Sequence, residues 1–89
     1  MAQKFWIFIK ADWKTNKYQV VHEAVSEREE RFTVIARNKT LVFSSNRPLF
    51  RNKGLKHLKP DYNLIQGSIN NRSYQDLIVE AIDIVVNKH

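Results

Sequence analysis

The residues with the clearest chemical potential are cations gathered in one stretch. From Arg31 to Pro60 the chain carries eight Lys or Arg and no Asp or Glu, whereas the remaining residues hold seven basic and nine acidic groups. Arg47, Arg51, Lys53, Lys56 and Lys59 recur between Ser44 and Pro60, with Arg37 and Lys39 just upstream. Such side chains neutralise phosphates. Phe50 and His57 lie among them, and rings of this kind stack on unpaired bases. Ser45, Asn46 and Asn52 add hydrogen-bonding groups that position a sugar-phosphate backbone. The pattern predicts a nucleic-acid-binding segment made of Arg37, Lys39, Arg47, Phe50, Arg51, Lys53, Lys56, His57 and Lys59. Two plainer readings stand beside it. A basic stretch also serves as solvated surface that keeps a protein soluble. Phe50, beside Leu49, also serves as a plug that pins a long loop to the core. The stretch carries no helix-turn-helix, RNP or zinc-finger pattern.

Groups suited to bond-making chemistry are sparse. His22, His57 and His89 are far apart and show no ligand spacing. His22 is expected half-buried on a strand and His57 on a surface loop. Gly54 and Gly67 are the two glycines, too few for a loop that converges backbone N–H groups on an anion. Ser44 and Ser45 lack the G-x-S-x-G setting of a nucleophile elbow and read as a strand end. A compact RNA-cleaving enzyme would need His57 or His89 as its acid–base group, with arginines steadying the phosphate charge. Neither histidine has a partner in the sequence to support that role. The expectation is a protein that is not an enzyme, with no metal and no small-molecule cofactor.

The elements that must hold the basic stretch follow from periodicity. Eighty-nine residues make a single domain, 1–89, with a modest core and no cysteine to staple it. Ser73 to Asn87 reads as a helix. Tyr74, Leu77, Ile78, Ala81, Ile82 and Val85 recur at i, i+3, i+4 on one face, with Gln75, Asp76, Glu80, Asp83 and Asn87 opposite. Ser73 is placed to cap it, Asp76 suits its first turn, and Lys88 and His89 suit its other end. Everything before it reads as strands: Phe5 to Lys10, Lys17 to Glu23, Arg31 to Asn38, Thr40 to Ser45 and Tyr62 to Ile69. Ala11 to Asn16 reads as a polar turn, and Ala24 to Glu30 as a solvated loop or single helical turn. Asn38-Lys39 suits a tight turn. Pro48 breaks the fourth strand, and Leu55 and Leu58 suggest a short turn of helix. Gly67 is expected at a bulge or bend. The fold class is α+β, an antiparallel sheet of about five strands (β-β-β-β-loop-β-α) packed on one C-terminal helix.

The first strand is apolar on both sides, with Phe5, Ile7 and Ile9 on one face and Trp6 and Phe8 on the other. One helix covers one face of a sheet. The other face must curl into a partial barrel, meet a second copy or bind a ligand. Trp6 and Phe8 fit a base-stacking platform or the centre of a homodimer, and large apolar patches on monomers are uncommon enough to favour the homodimer. Two functions follow. One is a non-enzymatic protein, homodimeric, that binds single-stranded or structured nucleic acid. The other is a homodimeric protein-interaction module without nucleic-acid binding. The order of several antiparallel strands and one C-terminal helix, over Phe5 to Asn87, is similar to a repeat of the PUR type of single-stranded nucleic-acid binder. That resemblance implies pairing through intertwined helices and nucleic acid held on the sheet, and it transfers no residue. The apolar run at Phe5–Ile9 is too short for a signal segment or a membrane span, so a cytoplasmic protein with no membrane partner is expected.

Overall fold

The computed structural model describes residues 2–11, 13–54 and 60–87. Five strands, β1 (Gln3–Ala11), β2 (Lys14–Ala24), β3 (Glu30–Ile35), β4 (Thr40–Ser45) and β5 (Tyr62–Gln66), form one antiparallel sheet in chain order. A short helix, α1 (Arg47–Asn52), lies between β4 and β5, and a longer one, α2 (Arg72–Val86), closes the chain. The expected α+β class holds. β1 and β5 are the two edges and do not pair, so the sheet stays open rather than closing into a barrel. No helix among the described residues is long and apolar enough to cross a membrane.

Alternation along the strands decides which face meets α2. Ile7 and Ile9 of β1, Val20 of β2, Phe32 and Val34 of β3, and Leu41 and Phe43 of β4 are buried against Ile78 and Ile82 of α2. The register stacks these side chains across the sheet, as in the row Phe5–Val20–Val34–Leu41. Leu77, expected on the buried face of the helix, is exposed. The buried line runs through Ile78 and Ile82, and a residue one step away on a helix is turned about 100° from it.

Several boundaries differ from the sequence reading. Lys14 to Asn16 belong to β2 and pair with Ala11 to Ile9, because ladder hydrogen bonds are made by backbone whatever the side chain. The β1–β2 connection is therefore a tight hairpin whose turn holds Trp13 at φ 66, an uncommon value for a bulky side chain. β3 ends at Ile35, and Ala36 N donates to Lys39 O in the turn that follows. The first part of the segment after Pro48, expected as a broken loop, is instead α1, with Pro48 near its start. Leu55 and Leu58 lie outside the described residues. The cap of α2 is Asn71, whose Oδ1 accepts from the backbone N–H groups of Ser73 and Tyr74, so Ser73 lies inside the first turn. Lys88 and His89 also lie outside the described residues. β5 stops at Gln66, and Gly67 turns the chain at φ 89. A Cβ there would meet Leu41 Cδ2 and Thr40 O, each at 2.7 Å.

Candidate nucleic-acid interface

The basic stretch that is continuous in sequence is divided in space. Arg37 and Lys39 sit in the β3–β4 turn, exposed. Arg47, Phe50, Arg51 and Lys53 begin where β4 ends, at the opposite end of the same hairpin. A six-residue strand separates the two groups by about 17 Å. Lys56, His57 and Lys59 lie outside the described residues. Arg51 and Lys53 are exposed, while Phe50 is half-buried beside the buried Pro48.

Arg47 faces inward, for a reason that lies on another strand. Glu30, the first residue of β3, is buried, and both its carboxylate oxygens are taken. Arg47 donates from Nε to Oε2 at 2.6 Å and from its terminal nitrogen to Oε1 at 2.9 Å. His22 Nε2 lies 2.6 Å from the same Oε1. The His22 ring stacks on Phe32 at 4.6 Å, and Ser45 Oγ accepts from Arg47 N. Hydrogen bonding to Glu30 raises the Arg47 pKa above its ordinary value. Nearby, Tyr62 donates to Asp83 of α2 at 2.9 Å, and its pKa is raised chiefly by burial. A carboxylate, a histidine and an arginine are the ingredients of acid–base attack on a phosphodiester. Here three hydrogen-bonding contacts occupy the carboxylate, and the side chains of Glu30 and Arg47 are only 2% and 15% exposed. The cluster ties α1 to the end of the sheet.

The other face of the sheet is uncovered by any described element. On β1 its side chains are Lys4, Trp6, Phe8 and Lys10, a cation at each end of two aromatic rings. Trp6 is 49% exposed and Phe8 61%. Lys17, paired with Phe8 across the ladder, places Nζ 4.3 Å from the centre of the Trp6 ring and 5.9 Å from that of Phe8. Gln19, Val21, Thr33, Ile35 and Val42 continue the surface over the next strands. The Arg37–Lys39 turn follows Ile35, which shares a row with Trp6 and Gln19, and so borders this end of the face. The carboxylate that β2 contributes to the face, Glu23, lies at the other end, opposite Arg31. Beside it Glu29 is held by Ser44 and Arg31, whose hydrogen bonds lower its pKa. Among the described residues, positive charge is thus left uncompensated around the rings and largely matched at the far end. Trp13 stands fully exposed at the hairpin tip, between Lys10 and Lys14.

No protein-family model, curated protein or solved structure matches this chain. The likeness to the PUR type accordingly remains one of element order, and fold alone does not assign function.

Sequence reasoning placed the cations of 31–60 in one site and passed over Lys4, Lys10 and Lys17. The overlooked signal was alternation: Lys4, Trp6, Phe8 and Lys10 occupy every second position of one strand, so a β reading puts them on one face. Glu30 was hidden differently. It sits in a run of charged residues that reads as solvated, and its partners His22 and Arg47 are 8 and 17 positions away.

Proposed function

We propose that the protein is a non-enzymatic nucleic-acid-binding protein whose ligand lies over the open sheet face around Trp6 and Phe8. The observation that supports this reading is the grouping of Lys4, Lys10 and Lys17 about two exposed rings on a face that no described element covers. Arg37 and Lys39 extend the same positive surface from the adjacent turn. Arg51 and Lys53, at the opposite end of the sheet, add long-range attraction without touching the same stretch of ligand. Fluorescent oligonucleotides titrated between about 50 and 200 mM salt test the reading: affinity falls steeply because releasing condensed counterions gains less as the salt concentration rises. The pair Lys10→Glu/Lys17→Glu weakens binding more than the pair Arg51→Glu/Lys53→Glu. Absence of binding at low salt, or equal loss from the two pairs, contradicts it.

A homodimer closed over the same face is the second reading, favoured by the exposure of Trp6, Phe8 and Ile35 on one surface. Sedimentation of the same samples separates the two. A concentration-independent dimer that shields Trp6 from quenchers and ignores oligonucleotides selects the interaction module.

A further inference from the structure

The open face carries more than a positive surface, because its rings have a spacing. Side chains two residues apart on a strand stand about 6.8 Å apart. Trp6 and Phe8 are such a pair, on the edge strand, where no described strand lies outside them. Successive bases of one strand of a duplex are separated by about 3.4 Å, half that distance, and their faces are hidden in the stack. Two rings at the wider spacing accept consecutive bases only from a strand that is unpaired and pulled out to an extended form. The row from Lys4 to Lys10 spans about 20 Å, room for about three nucleotides at that stretch.

We propose that Lys4, Trp6, Phe8 and Lys10 form a track for an extended single strand of nucleic acid, with consecutive bases stacked on Trp6 and Phe8. Its phosphates meet Lys4, Lys10 and Lys17. The proposal rests on the nucleic-acid reading above and specifies the form of the ligand. Lys17 has a defined part in it. Its ammonium lies over the Trp6 ring, a favourable cation–π placement that keeps the exposed indole occupied when no base is present. An arriving base takes that position, and the flexible lysine stem lets the charge swing out to a phosphate. Charge complementarity selects this occupant over a second copy, since face-to-face pairing about a two-fold axis through the β1 row would set lysines against lysines.

The test uses the full chain with Trp13→Phe, which leaves Trp6 as the sole tryptophan. It is titrated with a ten-nucleotide thymidine strand, the same strand as a duplex, an abasic deoxyribose-phosphate strand of equal length, and vesicles containing anionic lipid. The expected results are quenching of Trp6 by the thymidine strand and roughly hundredfold weaker binding of the abasic strand, the scale of two stacked bases. Phe8→Ala weakens thymidine binding by roughly tenfold, the scale of one stacked base, and leaves abasic binding unchanged. Lys17→Met lowers the salt slope by about one and preserves the quenching. Both replaced side chains are exposed, and thermal melting of each variant confirms the fold. If the thymidine and abasic strands bind alike, or the duplex binds as tightly as the single strand, the stacking track is wrong while nucleic-acid binding stands. If no oligonucleotide binds, both readings fall. Tighter binding to the vesicles than to any oligonucleotide overturns the proposal in favour of a membrane surface.

Discussion

Glu30 shows how much one residue can reorganise a site. Removing a buried carboxylate from water is costly and is offset only when its oxygens are paired. Arg47 supplies the pairing, which turns one of the sequence's candidate phosphate ligands into a structural strut. The two nitrogens that grip Glu30 are the fork that would otherwise grip a phosphate. Replacing Glu30 with Gln should therefore cost about 3 kcal/mol of stability, because the Arg47 charge is left half-buried without a counter-charge. Urea denaturation measures this. The double variant Glu30→Gln/Arg47→Met should recover part of the loss, since neither charge then remains. Oligonucleotide affinity should be nearly unchanged in the double variant. A loss of affinity comparable to that of Lys10→Glu/Lys17→Glu would restore Arg47 as a ligand contact.

The elements were legible where a single periodicity governs them. β4 was read with its observed bounds, because Thr40 to Ser45 alternates cleanly between two turn signals. α2 was displaced by one residue at each end, because both Asn71 and Ser73 are good caps and choosing between them takes the path of the preceding chain. α1 was missed. Pro48 suits the first turn of a helix as well as the end of a strand, and a six-residue helix has too little length to show a period. The joint between the sheet and α2 also has a side-chain component that sequence distance conceals. Tyr18 of β2 shares a hydroxyl hydrogen bond with Tyr74 of α2, which accepts another from Asn16 Nδ2 at 3.1 Å. The Tyr18 pKa is pushed up to about 12 from its ordinary value near 10, first by burial and then by the Tyr74 bond. Between those values the folded chain keeps a proton that the unfolded chain releases, so stability must fall as pH rises. The contribution is intact below about pH 10 and is lost on the way to about pH 12. Tyr18→Phe should flatten this part of the profile relative to the parent, as read from denaturation midpoints across that range. Lysine deprotonation is common to both proteins and cancels in the comparison. Identical alkaline slopes would contradict the tether.

At the scale of the whole molecule, the described strands form a sheet that α2 covers on one side and that no described element covers on the other. A fold of this size has few ways to use the other side. The sequence stated that tension plainly, through a first strand apolar on both faces, and left open whether the sheet would curl. The structure resolves the curl, since β1 and β5 remain separate edges. The assignment of cations was less legible, because sequence proximity groups Arg37 with Arg51 while the β3–β4 hairpin sends them to opposite ends. Conversely, Lys10, Lys17 and Lys39 are scattered in sequence and are brought toward one end of the open surface only by pairing of the strands. The central claim is one of location: nucleic acid meets the open face at its aromatic end. Backbone amide shifts in an isotope-labelled sample, followed while a short single-stranded oligonucleotide is added, test that location most directly. The account predicts the largest shifts in β1 from Lys4 to Lys10, at Lys17 and Gln19 of β2, and in the Ile35–Lys39 turn, with α2 unmoved. Shifts confined to Arg47–Asn52, or none at all, would contradict it.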